Sequence, residues 1–167
     1  MLHETGQVSC LDQAIEFYVD RLGFTLASRA ENAAEQEAYA FLVLGDLRLE
    51  LIQDLKHAGY AKPTIRPPFC PHLAIQTADM AQAVARLEEA GVTILRGPLM
   101  IEGEESWVYF CDPDNNILEY IQWYRKKYPE RTTTEHASQE NTYGSRQEDR
   151  PGCPRQQEAG SNRMGKV

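Results

Sequence analysis

The sequence predicts an α+β fold in which two tandem βαβββ modules form a curved mixed sheet shaped like a cup. Two observations support this fold class. The order of predicted elements occurs twice along the chain, and parts of the two copies match in residue identity. The segment 49–53 (LELIQ) matches 118–122 (LEYIQ) at an offset of 69 residues, and Phe41 matches Phe110 at the same offset. The chain therefore contains an internal repeat.

Each copy contains one predicted amphipathic helix that ends at a glycine. Apolar residues recur at steps of three and four over 11–22, and Gly23 follows; the segment 79–90 has the same pattern, and Gly91 follows. This spacing places the apolar side chains on one helix face, and glycine readily adopts the backbone conformation that ends a helix. We expect both helices to pack against strands.

Four strand-like segments accompany each helix. Gly45-Asp46 separates two of these segments and 112–116 (DPDNN) separates two others, and both are turn-forming sequences that predict hairpins. The proline-rich segment 54–69 predicts a linker between the modules. The predicted strands are 2–9, 24–29, 38–44, 47–53, 72–77, 92–95, 107–111 and 117–123.

The length and composition predict one globular domain followed by a polar tail. A chain of 167 residues, 42% of them hydrophobic, forms one sizeable core and is short for two ordinary domains. We place the domain at 1–128, with modules at about 1–54 and 70–124. The segment 129–167 has too few aliphatic residues to offset the entropy cost of ordering, so we predict that it is disordered.

Charge and the N-terminal sequence exclude several classes of partner. The net charge of −8 argues against nucleic acid, and no apolar stretch approaches bilayer length. The first residues lack the features of a secretory signal. Four cysteines (Cys10, Cys70, Cys111 and Cys153) show no CxxC pair and no disulfide-scaffold density, so we expect reduced thiols and a cytoplasmic protein.

Two histidine–glutamate pairs are the strongest candidate for chemistry. His3 precedes Glu50 by 47 positions, and His72 precedes Glu119 by the same number. In each final strand the glutamate lies between apolar residues whose side chains face the opposite side of the sheet. A carboxylate buried in such a strand is costly unless a cation compensates its charge. The repeat therefore predicts a divalent metal with these four residues as ligands.

Imidazole and carboxylate donors suit zinc, nickel, cobalt, manganese or iron, and a closed structural zinc site would contain thiolates. Four protein ligands in an octahedral shell leave two positions for water or substrate, which is a catalytic arrangement. A single strand histidine is more often a surface residue, and a single glutamate is more often solvated. The equal spacing of both pairs favours the metal site.

Four further residues are candidate substrate contacts. Gln7 and Gln76 share strand faces with His3 and His72, and Arg48 shares the face of Glu50. Trp107, with Tyr109 and Phe110, is a candidate for the pocket lining. Surface glutamines and core aromatic residues are the ordinary alternatives.

As a set, these motifs resemble the vicinal oxygen chelate superfamily, which includes glyoxalase I, extradiol dioxygenases and bleomycin-binding proteins. The resemblance covers nearly all of 1–123. It is carried by His3, by the segments 9–18 (SCLDQAIEFY), 22–24 (LGF), 71–74 (PHLA) and 110–114 (FCDPD), and by Leu118-Glu119.

The resemblance implies a homodimer whose cup encloses one divalent metal ion per site, completed between two subunits. The fourth ligand position, where Glu50 stands, implies a lyase or isomerase of glyoxalase I type with nickel, cobalt or zinc, and possible use of manganese or iron. Its reaction would be proton transfer through a metal-bound enediolate of a small carbonyl compound, with Glu119 or Glu50 as the base. An iron-dependent dioxygenase and a non-catalytic small-molecule binding protein stay open as alternatives.

The resemblance weakens at two positions that hold glutathione in related enzymes. Glutathione-using bacterial glyoxalases carry an arginine where Gln7 stands and an asparagine where Asp54 stands. The acidic segment 102–105 (EGEE) would repel the carboxylates of glutathione. We therefore expect a different small carbonyl compound as the substrate.

Overall fold

Both modules fold in the predicted order βαβββ. The computed structural model describes residues 2–57 and 59–125. Module 1 contains β1 (Leu2–Gln7), α1 (Leu11–Glu16), β2 (Thr25–Asn32), β3 (Glu37–Leu44) and β4 (Leu47–Asp54). Module 2 contains β5 (Leu73–Gln76), α2 (Met80–Glu89), β6 (Ile94–Ile101), β7 (Glu105–Cys111) and β8 (Ile117–Trp123).

These elements belong to a unit that spans Met1–Arg131. The predicted disordered tail, 129–167, lies outside the described residues and stays a prediction. No helix in the described part of the chain is long and apolar enough to span a membrane.

Each module forms one four-stranded mixed sheet. The strand orders are β1-β4-β3-β2 and β5-β8-β7-β6. The first strand of each module lies parallel to its last strand, whereas the other neighbours are antiparallel. The α+β class and the paired βαβββ modules are therefore confirmed. The parallel pairing brings the beginning of each module against its final strand.

The matched glutamine of each repeat anchors the start of a helix. Gln53 accepts a hydrogen bond from the backbone N–H of Leu11 at 2.8 Å, and Gln122 accepts one from Met80 at 2.8 Å. The first N–H groups of a helix have no partner within the helix, so a side-chain acceptor stabilises its N-terminus. Glutamine therefore occurs at this position in both copies of the repeat because it has the same structural role in each.

Both predicted helix ends are confirmed at glycine. Gly23 and Gly91 have φ values of +78° and +65°, and each follows the last helical turn of its module. The first helix differs from the prediction in its interior, because α1 ends at Glu16 and a π-helical turn continues over Phe17–Arg21.

Strand β6 corrects the prediction that this strand ends at Leu95. It continues to Ile101 through Gly97 and Pro98, and its pairing with β7 shifts register there. A Cβ atom at Gly97 would lie 2.9 Å from the carbonyl oxygen of Trp107, so only glycine fits this close approach. The Gly-Pro pair forms a bulge inside the strand, where sequence reasoning placed its end.

The apolar faces of both modules contribute to one hydrophobic cluster. Leu11 and Tyr18 come from the first helical segment, and Leu87 comes from α2. Core-facing strand residues are Ala40, Leu42, Leu49, Leu51, Val108, Phe110 and Leu118, which are almost completely buried. Because side chains alternate along a strand, the residues between these core positions face the opposite side of each sheet.

A buried polar turn joins the two modules. The hydroxyl of Tyr18 donates to Asp112 at 3.1 Å, and the hydroxyl of Ser9 donates to Asp114 at 2.6 Å. Asp112 also accepts hydrogen bonds from the backbone N–H groups of Asp114 and Asn116. Burial raises the pKa of Asp112, although these hydrogen bonds oppose that rise. The turn predicted at 112–116 is therefore both a hairpin and a contact between modules.

The cysteines follow the expectation in part. Cys70 is an exposed free thiol and Cys111 is a buried one. Cys10 is disulfide-bonded, so the expectation of reduced thiols is wrong at that position.

We predict that Tyr18→Phe lowers the free energy of unfolding by about 1–3 kcal/mol at neutral pH, because buried Asp112 loses a donor. Burial and, next, the charge of Asp112 raise the pKa of Tyr18 well above its ordinary value of 10.0. The stability contributed by the neutral phenol is complete below pH 10.0 and is lost as the pH rises beyond it, so the difference between wild type and variant should shrink there.

Denaturant unfolding between pH 7 and pH 11 would measure this difference, with Tyr60→Phe as the matched control. The Tyr60 hydroxyl donates to the carbonyl of Gln7 at the surface, so its loss should cost less. Equal losses in the two variants would contradict a special role for the Tyr18–Asp112 bond.

Candidate metal centre

The first pair, His3 and Glu50, is formed by the parallel strands β1 and β4. The Nε2 atom of His3 lies 3.2 Å from Oε2 of Glu50. The hydroxyl of Thr5, which pairs with Glu50 across the strands, lies 3.5 Å from the same oxygen. The predicted association of these two residues is therefore present, on the sheet face opposite the core.

The second pair, His72 and Glu119, repeats this geometry in module 2. His72 lies one residue before β5, and its Nε2 atom is 3.4 Å from Oε2 of Glu119. The Nδ1 atom of His72 lies 2.8 Å from the carbonyl oxygen of Phe69. A carbonyl only accepts hydrogen bonds, so Nδ1 carries the proton and Nε2 of the neutral ring is an acceptor.

This tautomer leaves two acceptors facing each other, the Nε2 atom of His72 and the carboxylate of Glu119. Two acceptors at such a distance repel unless a proton or a cation lies between them. The backbone carbonyl that fixes the ring is the kind of second contact that metal-binding histidines make. The donor set and its orientation therefore fit a divalent cation.

Tyr109 lies beside Glu119 on the neighbouring strand β7. It pairs directly with Glu119 in the sheet. Burial and, next, the charge of Glu119 raise the pKa of Tyr109, so the phenol stays neutral. Its ring also packs edge-on against His72, with centroids 5.3 Å apart. Sequence reasoning considered Tyr109 as a pocket-lining or core aromatic residue and missed this contact.

Phe41 occupies in module 1 the place that Tyr109 occupies in module 2. It pairs with Glu50, whereas Phe110, its partner in the sequence repeat, pairs with Leu118 and is fully buried in the core. Phe110 is therefore a core aromatic residue, the alternative given above to a place in the pocket lining. Glu119 follows its cross-strand partner Tyr109 by ten positions, whereas Glu50 follows Phe41 by nine, so the repeat shifts by one position in the hairpin. The alternation of side chains along β7 could have revealed this, since Tyr109 and Phe110 must face opposite sides.

The predicted substrate contacts lie on the same faces as the two pairs. Gln7 pairs with Ile52 and Gln76 pairs with Ile121, and both glutamines are exposed. Trp107 also pairs with Ile121 and is half-buried. Arg48 pairs with His3 across β1 and β4, and its guanidinium carbon lies 4.6 Å from the ring centroid of Phe41.

The structure does not bring all four predicted ligands together within one chain. Among the described residues, no group of three or more histidine, cysteine, aspartate or glutamate side chains has a geometry that could hold a metal ion. Each module instead presents one histidine–glutamate pair, so a single chain carries two half-sites.

Comparisons with known proteins agree with the fold and with this arrangement of modules. Residues 2–120 match the family model of the Glyoxalase/Bleomycin resistance protein/Dioxygenase superfamily. This chain, with its paired α+β modules and one histidine–glutamate pair in each module, therefore belongs to that superfamily.

Particular relatives are named as glyoxalase enzymes. The chain is 31% identical over 127 residues to the probable lactoylglutathione lyase of Vibrio cholerae, covering 73% of this chain and 89% of the relative. It is 27% identical over 124 residues to the lactoylglutathione lyase of Neisseria meningitidis, with the same coverage. Among solved structures, the trypanothione-dependent glyoxalase I of Leishmania major aligns with a TM-score of 0.58 and 25% identity, covering 73% of this chain and 85% of that one.

Proposed function

We propose that this protein is a divalent-metal-dependent lyase or isomerase of glyoxalase type that acts on a small carbonyl compound by proton transfer. The observation that carries the proposal is the histidine–glutamate pair that both modules repeat, with Nε2–Oε2 distances of 3.2 and 3.4 Å and with two acceptors facing each other in the second pair. The similarity to proteins named lactoylglutathione lyase supports the reaction class. We further propose that the protein is cytoplasmic.

The complete site is proposed to form in a homodimer. His3 and Glu50 of one subunit would face His72 and Glu119 of the other, because a single chain keeps its two pairs apart. Nickel, cobalt or zinc suits two imidazoles and two carboxylates with open positions. Such an ion, when bound, would polarise a substrate carbonyl and so acidify the neighbouring C–H bond.

Glu119 is the proposed base. Its side chain is 9% exposed, against 21% for Glu50, and it pairs with Tyr109 across β7 and β8. Within the described ranges, the hydrogen-bonding partners of Glu50 are His3 and, at 3.5 Å, the Thr5 hydroxyl. The carboxylate of Glu119 would accept the proton from the carbon next to the carbonyl and return it to the adjacent carbon. Glu50 would act mainly as a ligand.

We predict that the purified protein binds a stoichiometric divalent ion and that Glu50→Gln and His72→Ala each weaken its affinity by at least about tenfold. Elemental analysis after dialysis would measure the bound ion. His57→Ala is the matched control, since His57 bonds Asp54 in the linker and should be dispensable. A wild-type protein that holds no divalent ion after loading would favour a metal-free binding protein.

We predict that subunits with complementary defects restore one site. One chain would carry His3→Ala with Glu50→Ala, and the other would carry His72→Ala with Glu119→Ala. Neither homodimer should bind the ion, whereas the mixed dimer, isolated with two affinity tags, should bind one ion per dimer. If the mixed dimer also binds none, the ligands are not shared between subunits in this way.

We predict that Glu119→Gln slows proton abstraction by about 100-fold or more while the ion stays bound in excess metal, because the amide can ligate but cannot act as a base. The rate of C–H exchange of hydroxyacetone in D2O, followed by NMR, would measure this step without knowledge of the substrate. Glu50→Gln at matched metal occupancy should exchange faster than Glu119→Gln. The reverse order would assign the base to Glu50.

A further inference from the structure

Arg48 places a cation beside the first pair. It lies on β4 two residues before Glu50 and directly opposite His3 on β1, so the three side chains share one sheet face. Its guanidinium lies over the ring of Phe41, 4.6 Å from the centroid. The ring of Phe41 in turn packs edge-on against His3 at 5.8 Å. The aromatic ring therefore holds the guanidinium close to the candidate metal ligands.

The guanidinium of Arg48 has a hydrogen-bond donor for which the described residues supply no acceptor. The Nε atom of Arg48 is buried and, among the described residues, has no hydrogen-bond partner. Arg29 also has a buried Nε without a partner, but its guanidinium pairs with the carboxylate of Asp12. Within the same described ranges, no carboxylate forms an ion pair with Arg48.

Stacking on Phe41 leaves the N–H groups at the edge of the guanidinium free, because a cation–π contact uses only its face. A planar guanidinium with free N–H groups matches a carboxylate well, and it can donate two parallel hydrogen bonds to one. The missing partner is therefore best supplied by an anionic group of a ligand.

The position of Arg48 is not repeated in module 2. Glu119 corresponds to Glu50, and the residue two positions before Glu119 is Ile117. The second module has its arginine on β6 instead, where Arg96 pairs with Tyr109. A guanidinium that lies over an aromatic ring two residues before the glutamate is therefore a feature of the first pair.

We infer that the substrate is a small carbonyl compound that carries its own carboxylate, and that Arg48 binds this carboxylate. The inference rests on the proposed function. Residues two positions apart on a strand are about 7 Å apart, so the anionic group would lie only a few bonds from the reacting carbonyl. Arg48 thereby determines specificity by charge and does not take part in proton transfer.

Calorimetric titration of the metal-loaded protein would test this with two matched probes, N-hydroxysuccinamate and its methyl ester. Both compounds present the same metal-chelating hydroxamate, and only the first has a free carboxylate. The wild type should bind the carboxylate about tenfold or more tightly than the ester, as expected for charge-assisted hydrogen bonds. Arg48→Gln should lose this preference and still bind the ester.

Arg86→Gln is the control, because it removes the same charge from α2, where Arg86 bonds Gln82 at the helix surface. It should keep the wild-type preference. Equal binding of both probes by the wild type, or a preference that survives in Arg48→Gln, would overturn the role of Arg48. Failure of both probes to bind would instead overturn the proposed metal site, and the inference would fall with it.

Discussion

The parallel pairing of the first and last strands of each module is the constraint on which the candidate site depends. Residues 47 positions apart in the sequence become neighbours because β1 lies against β4 and the same pairing recurs between β5 and β8. The core supports this arrangement from behind, since apolar side chains alternate with the site residues along the same strands. Glutamine then fixes each helix start against the final strand. The pairing of the first strand with the last strand of each module therefore forms the two halves of the candidate site.

The two modules share a backbone but differ in the chemistry around their glutamates. Glu50 has Thr5 and Phe41 beside it, whereas Ala74 and Tyr109 take the corresponding places beside Glu119. The phenol of Tyr109 lies beside Glu119, whereas the phenyl ring of Phe41 beside Glu50 carries the guanidinium of Arg48. The two modules therefore share a fold but differ in the groups around their glutamates.

Much of the fold could be predicted because local signals and the repeat agreed. All eight strands, both helices and the glycine ends followed from periodicity, turn residues and the match between copies. The errors fell where tertiary contacts outweigh local preference. The strand predicted over 92–95 continues to Ile101, because Gly97 forms a bulge that allows the close approach of Trp107. The sequence left Phe110 between the pocket and the core, because the repeat shifts by one residue in the second hairpin and only the strand register decides which face it takes.

The sequence by itself determined the pairs, since equal spacing within a repeat identified His3 with Glu50 and His72 with Glu119 before any distance was available. Only the tertiary structure decided which atoms face each other and which neighbours hold them. The tautomer of His72, the contact of its ring with Tyr109 and the Nε atom of Arg48, which has no partner among the described residues, depend on side chains from different strands and loops. Such contacts depend on strand register and packing, which local sequence patterns do not encode.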